Sequence, residues 1–345
     1  MERNTLNILL PAEWAPQSGV LLTWPHKDTD WKDILDEVVP CFVSIAKEII
    51  KREKLIIVCP CIDDVKQALG EVDFSQIIFR EIDSNDTWAR DHGPLSVFVN
   101  GVPYILDFTF NGWGLKFPAN YDNQITRQLY ESTALSPEIG YQSMLHVVLE
   151  GGSIESDGAG TILTTSECLL SANRNEYKGK AEIEDYLKMI FEAKRILWLN
   201  NGYLSGDDTD SHIDTLARFC NKETIAYVRC TDESDEHFEE LSLMEEELKA
   251  FKTEDGNPYR LIALPMAEAV YDNEERLPAT YANFLIINDA VLMPTYNSPL
   301  DKEAKEALQE AFPDREVVGI NCLPLIKQHG SLHCVTMQFP EGFIK

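Results

Sequence analysis

The feature that most constrains this chain's fold is a recurrence. Two short alternating strands joined by a tight turn, then an amphipathic helix, then an apolar strand, follow one another along the 345 residues. One copy runs PLSVFV, turns at Asn100-Gly101 and returns as VPYILDF. Asn-Gly is a strong hairpin signal because both central positions need positive φ. SIES and TILTT, around Asp157-Gly158, predict the next hairpin. HIDTLARF and TIAYV, around Asn221–Glu223, predict a third, and ANFLII and AVLMPTY, around Asn288-Asp289, a fourth.

Helical periodicity follows. Phe238, Leu241, Met244, Leu248 and Phe251 recur at three- and four-residue steps within 236–252, ahead of a strand over 259–264. A helix over 302–312 precedes a strand over 316–320. The fifth copy is split between the chain ends: SLHCVTMQF is predicted to pair with GVLLTW, followed by a helix from near Trp31 and the strand Leu55–Cys59. A unit of this kind cannot bury its apolar faces alone, so neighbours must stack. Pairing the two chain ends removes the open edges of a linear array. The expectation is an α/β fold, a five-bladed α/β propeller of ββαβ units forming a single catalytic domain over 1–345.

Charge narrows the function. With 58 acidic against 30 basic side chains the formal charge is −28, and no basic surface suited to nucleic acid is visible. An acidic field attracts small cations instead. No apolar stretch is long enough to span a bilayer and the N-terminus lacks a signal-peptide core, so a cytoplasmic location away from membranes is expected. A homodimer or higher homo-oligomer is compatible with such a chain. The eight cysteines have no zinc-ligand spacing and are expected to be reduced, most of them packed as small hydrophobes.

Four polar clusters occupy one relative place, on or beside the hairpin strands: Asn85–Asp91, Glu150-Gly151-Gly152, Asp207–Asp214 and His329–Cys334. If the units are related by rotation, all four face one cavity. Its best-matched ligand is a guanidinium, a planar cation whose five N–H donors carboxylates grip bidentately. Asp91, Glu150 and Asp214 are candidate anchors. Trp88 offers a π-face for the substrate stem, and Gly151 and Gly152 would let backbone approach the ligand. Hydrolysis of so weak an electrophile needs a strong nucleophile. Cys334 as thiolate supplies it, and His212 can protonate departing ammonia and then activate water. In a strand, His212 and Asp214 would share one face.

Taken singly these signals are ordinary: Asp pairs cap turns, and a cysteine in LHCVTM is usually core. His329 and His333 have the i,i+4 spacing of a helical zinc pair, but Gly330 and its β-prone neighbours predict a strand, so no metal site is expected.

In order along the chain, PAEW, TWARDHGP, FNGWG, EGGSIESDGAGT, GDDTDSHID and HGSLHC make the sequence resemble the agmatine deiminases of the guanidino-modifying, or pentein, superfamily. The resemblance spans Pro11 to the last strand. It implies Cys334 as the nucleophile forming an amidino-cysteine, His212 as general acid/base, and Asp91, Glu150 and Asp214 as guanidinium anchors. It also implies Asp208 as an acidic ligand contact and Trp88 as a pocket aromatic. The implied reaction converts agmatine and water to N-carbamoylputrescine and ammonia, a step toward putrescine, on a five-bladed propeller without a cofactor. The run Lys327–His333 departs from the glycine-rich stretch that many members carry before the cysteine. Alternatives are a deiminase of free or peptidyl arginine, an amidinotransferase, and a non-catalytic guanidine- or polyamine-binding protein. FNGWG is the candidate for a loop closing over the substrate.

Overall fold

A computed structural model describes residues 7–176 and 179–345 as a mixed α/β fold. The predicted unit occurs five times, each in its own sheet: an antiparallel hairpin whose second strand also pairs in parallel with the strand beyond the connection. Leu95–Val99 pairs antiparallel with Val102–Thr109, which pairs in parallel with Gly140–Val148. The same order links Ile154–Ser156, Thr161–Thr165 and Arg195–Leu199. It recurs for Ala217–Asn221, Thr224–Arg229 and Arg260–Pro265, and for Leu285–Ile287, Ala290–Thr295 and Glu316–Asn321.

The split unit joins the two ends of the chain. Thr336–Pro340 lies antiparallel to Gln17–Thr23, which pairs in parallel with Lys54–Cys59. The intervening helix, Leu35–Ile49, buries Val38, Phe42, Ile45 and Ile49, the three-and-four spacing that holds one face against a sheet. Two strands extend this pattern at sheet edges, Ile77–Glu81 beside Lys54–Cys59 and Ile8–Leu9 beside Leu95–Val99.

Turn chemistry follows the sequence. Asn100 and Gly101 take φ of 51° and 78°, the left-handed pair that the twist of a two-residue hairpin demands. Helices lie close to their predicted positions, at Phe238–Ala250 and Asp301–Ala311. The differences concentrate where chemistry was expected. His212-Ile213-Asp214 is not strand: Ile213–Thr215 is a single 3-10 turn and the strand starts at Ala217. Cys334 likewise sits in a turn, ahead of the strand at Thr336. No described helix is long and apolar enough to cross a membrane.

Candidate active site

Just before the first strand of each hairpin the chain makes a tight turn, and these turns carry the polar side chains. Asp91 lies in the helical turn Ala89–His92, Glu150 caps Gly151–Ser153, and Asp214 lies in Ile213–Thr215 directly after His212. Cys334 and Asn283 occupy the equivalent places in the remaining two units. A turn suits this task better than a strand, since it can aim adjacent side chains at one point while leaving the ladder behind it intact.

That point is marked by Gly152. A Cβ there would stand 2.6 Å from His212 Nδ1, 2.8 Å from Asp91 Oδ1 and 3.2 Å from Asp214 Oδ2. Cys334 Sγ is 3.9 Å from the same Asp214 Oδ2 and 3.3 Å from Asn283 Oδ1, which also accepts the N–H groups of His333 and Cys334 at 2.8 and 3.2 Å. Asp91 Oδ1 accepts from the Gly152 amide at 3.0 Å, and its Oδ2 from Trp113 Nε1 at 2.9 Å. Asp214 Oδ2 accepts from His333 at 2.7 Å, whereas Oδ1 makes no hydrogen bond.

Burial sets the charges. It pushes Asp91 up to about 6, with Asp214 and Glu150 adding to the rise and His212 opposing it. It works to lower His212, but Asp91, 3.6 Å from Nδ1, together with Cys168 and Glu150, outweighs it and raises the imidazole to about 10. His212 is therefore a cation at neutral pH. Burial acts first on the Cys334 thiol, and the charges of Asp214 and Asp91 add to it, holding the thiol well above its ordinary range. Without a ligand the sulfur stays protonated.

Glu150, expected as a guanidinium anchor, is wholly buried, and both its oxygens accept from Arg174 Nε, at 2.9 and 3.0 Å. Arg174 continues to Asp210 and the Thr209 carbonyl, and Lys116 reaches Asp210 and the Asp208 carbonyl from the loop opposite. Among the described residues two sets, the first buried and the second with a half-buried Glu13, have metal-ligand chemistry within 4.8 Å: Glu150–Cys168–His212 and Glu13–Glu155–His333. In each, arginine already supplies the cations, Arg174 on Glu150, and Arg218 with Arg90 on Glu13 and Glu155, so neither has anionic charge left over for a metal ion. His329 is separate from both. It stands at positive φ with Nδ1 2.8 Å from the Gly206 carbonyl, and it does not form a helical pair with His333.

An open cavity of ≈ 140 Å³ reaches the site. Of the predicted residues, Trp88, Asp91, Asp208 and Cys334 line it, while His212, Asp214 and Glu150 are packed beneath the wall. Asp30, Asp86, Trp113 and Phe117 complete much of the lining. Burial raises Asp86 to about 6, against hydrogen bonds from Trp31 and the Thr87 amide. Trp113 belongs to FNGWG, where Gly112, Trp113 and Gly114 all have positive φ, as does Leu115 directly after it. Such a run costs backbone energy for its non-glycine members, here held by the Asp91 bond and by edge-to-face packing on Phe110 and Trp88.

The two glycines after Glu150 serve packing within the protein more than ligand approach. A Cβ on Gly151 would stand 2.3 Å from the Arg90 carbonyl, and one on Gly152 would wedge apart His212, Asp91 and Asp214. Gly152→Ala is expected to lower kcat/KM about 100-fold, because displacing a reacting group by about 1 Å costs that much. Steady-state kinetics beside a thermal melt would separate this from unfolding; unchanged kcat/KM in a folded variant would refute it.

The chain is similar to known proteins over nearly its whole length. A family model described as Porphyromonas-type peptidyl-arginine deiminase matches residues 9–340. The agmatine deiminase of Pseudomonas aeruginosa is 32% identical over 359 residues, covering 96% of this chain and 95% of the relative. A crystal structure from Porphyromonas gingivalis, provisionally named an arginine deiminase, is 55% identical with a TM-score of 0.95, covering 98% of this chain and 100% of that one. A C. jejuni agmatine deiminase, solved as a Cys-to-Ser variant with substrate bound, is 38% identical with a TM-score of 0.91 and covers 99% of both chains. The chain thus belongs to the Porphyromonas-type peptidyl-arginine deiminase family and, within the pentein superfamily, to the agmatine deiminases.

Proposed function

We propose that this protein hydrolyses agmatine to N-carbamoylputrescine and ammonia through an amidino-cysteine intermediate on Cys334, on the route to putrescine. The observation that carries the reading is the wall of the cavity. Cys334 and four carboxylates, Asp30, Asp86, Asp91 and Asp208, line it, and no lysine or arginine is among the lining residues. A guanidinium with an ammonium tail finds an acceptor at each end. Free arginine would instead set its own carboxylate among four others, and like-charge juxtaposition costs several kcal/mol, roughly.

The steps follow from the charges. Asp91 and Asp214 grip the guanidinium, and the bound cation stabilises the Cys334 thiolate that burial otherwise disfavours, the thiol proton leaving to solvent through the cavity that Cys334 lines. Sulfur attacks the guanidinium carbon. His212, already protonated, gives its proton to the leaving nitrogen, and the C–N bond breaks to release ammonia. The neutral imidazole then takes a proton from water, whose oxygen attacks the amidino carbon. The carbonyl of the product forms as the C–S bond breaks, the hydroxyl proton passing to the departing sulfur, which restores the Cys334 thiol beside a reprotonated His212. In this reading Glu150 acts behind His212, favouring its protonated form, and Arg174 holds Glu150 in place. Trp88 covers the stem of the substrate, and Asp208 faces its amine.

The same reading takes the five sheets as blades of an α/β propeller around the site, a single catalytic domain over 1–345. It also takes the protein as a cytoplasmic enzyme that assembles as a homo-oligomer and uses no cofactor. A second reading, arginine as substrate, is favoured by the name of the 55% identical P. gingivalis structure. Ureido-product assays on agmatine, arginine and an arginyl peptide decide between them. Agmatine is expected to lead arginine by at least about 100-fold in kcat/KM, the few kcal/mol of a misplaced charge. Equal or reversed ratios would overturn the substrate assignment.

A further inference from the structure

Behind Asp214 lies a buried set of charged side chains with no place in the steps above. His333 Nδ1 is 2.7 Å from Asp214 Oδ2, and its Nε2 is 3.0 Å from Arg218 Nη2 and 2.8 Å from Glu13 Oε1. Arg218, from the strand Ala217–Asn221, is wholly buried. It donates to Glu13, to Glu155 and to the Phe284 carbonyl, and it lies over the Phe284 ring at 4.7 Å. Arg90 closes the set at 3.2 Å from Glu13. Glu13 belongs to the PAEW motif, which the reaction leaves unexplained.

The imidazole's proton placement follows from its neighbours. Arginine cannot accept, so Nε2 either accepts from Arg218 in a neutral ring or donates to Glu13 in a charged one. In both cases Nδ1 carries a proton toward Asp214. The remaining tautomer would press the Nδ1 lone pair against a carboxylate oxygen at 2.7 Å. Asp214 thus has one oxygen saturated from behind, while Oδ1 is left without a hydrogen bond.

Resting on the deiminase reading, we propose that His333 is a positioning residue for the reaction: its Nδ1–H locks the Asp214 carboxylate in place and leaves Oδ1 to receive the guanidinium. A second cavity, which shares no lining residue with the first, is bounded by Glu13, Arg90 and Gln338, so the lock is braced from a part of the molecule the substrate does not touch. The electrostatics agree. Burial tends to raise Asp214, and Cys334 is a further buried neighbour, but His333, His212 and Arg218 hold it below the ordinary carboxylate range. Asp91 is the other carboxylate at this point of the site. Removing the Nδ1–H donor lets burial prevail, so the Asp214 pKa rises.

The test compares His333→Asn, His333→Gln and His333→Ala with the native enzyme. An asparagine amide can stand near the place of Nδ1–H, whereas a glutamine amide stands nearer that of Nε2. His333→Asn is expected to keep kcat/KM within about threefold of native, while His333→Gln and His333→Ala raise the KM for agmatine about tenfold or more at neutral pH. In those two, the acidic limb of the kcat/KM profile moves to higher pH, and the deficit shrinks as pH rises and Asp214 ionises unaided. If the three variants lose activity alike with an unmoved acidic limb, or if Gln outperforms Asn, the proposal is wrong. If all three lose the folded state in thermal melts, His333 belongs to the scaffold and the proposal is equally wrong. The native protein is assayed first on agmatine, arginine and an arginyl peptide, and the variants on whichever turns over. A preference for arginine then overturns the substrate assignment while leaving His333 under test, and turnover of none overturns both.

Discussion

Cys334→Ser is expected to abolish deimination while preserving substrate binding. The serine hydroxyl can occupy the place of the thiol and donate to Asn283 Oδ1, which holds Sγ at 3.3 Å. Its volume is smaller, so no neighbour must move. What it lacks is an anion. Burial and the charges of Asp214 and Asp91 already hold the thiol well above its ordinary range, so the nucleophile forms only when a bound guanidinium offsets those carboxylates. That compensation is enough for a thiol. It is far too small for an alcohol, whose intrinsic acidity is several orders of magnitude weaker. The expected loss in kcat is at least about 10⁴-fold, more than about 5 kcal/mol of transition-state stabilisation. Ureido-product release measures the loss, and calorimetric titration with agmatine measures what remains of binding. Serine turnover above about one per cent of native would remove Cys334 from the nucleophile's role, since no alternative anion would then be needed. Lost binding would mean that the sulfur supports the cavity and not only the chemistry.

The sequence made the repeated unit legible because each hairpin is written in local terms. Asn100-Gly101 and Asn288-Asp289 specify turn geometry wherever they occur, and the heptad-like spacing in 238–248 specifies a buried face. It also pointed to the clusters that meet around Gly152. It did not give the local structure that brings them together: His212 and Asp214 converge through a 3-10 turn and not through the alternation of a strand. Asn283 was missed although its unit was recognised, because an asparagine before FLII carries no local mark of function. Only the order of the five units shows that a fifth polar side chain should occupy that place. Cys168 and Arg174 were beyond reach for a different reason. Their importance lies in what they touch, His212 and Glu150, and those contacts join segments tens of residues apart. The expectation that Glu150 grips the ligand fails to anticipate Arg174 for the same reason.

His212→Gln should separate proton transfer from the electrostatics of the site, since the amide keeps hydrogen-bonding capacity but cannot titrate. In the native protein Asp91 opposes burial and raises His212 to about 10, so the imidazolium is complete at neutral pH and is lost as pH climbs through that value. The native kcat/KM profile is expected to fall on its alkaline side near there. The variant should lack that limb. Its acidic limb should move as well, in a direction the charges fix. Asp91, pushed up to about 6 by burial, is held down by His212 and by the Trp113 hydrogen bond. Without the cation its pKa rises further, so the variant loses activity at a higher pH than native as acid is added. Between the limbs, loss of the acid for ammonia and of the base for water lowers kcat by about 10³- to 10⁴-fold. Asp91 and His212 titrate as a pair, so the limbs are macroscopic values and are best compared between variant and native on one substrate. An alkaline limb that survives in His212→Gln would assign that proton to another group. A loss confined to KM would make His212 a binding residue, because a group acting on the leaving nitrogen lowers kcat itself.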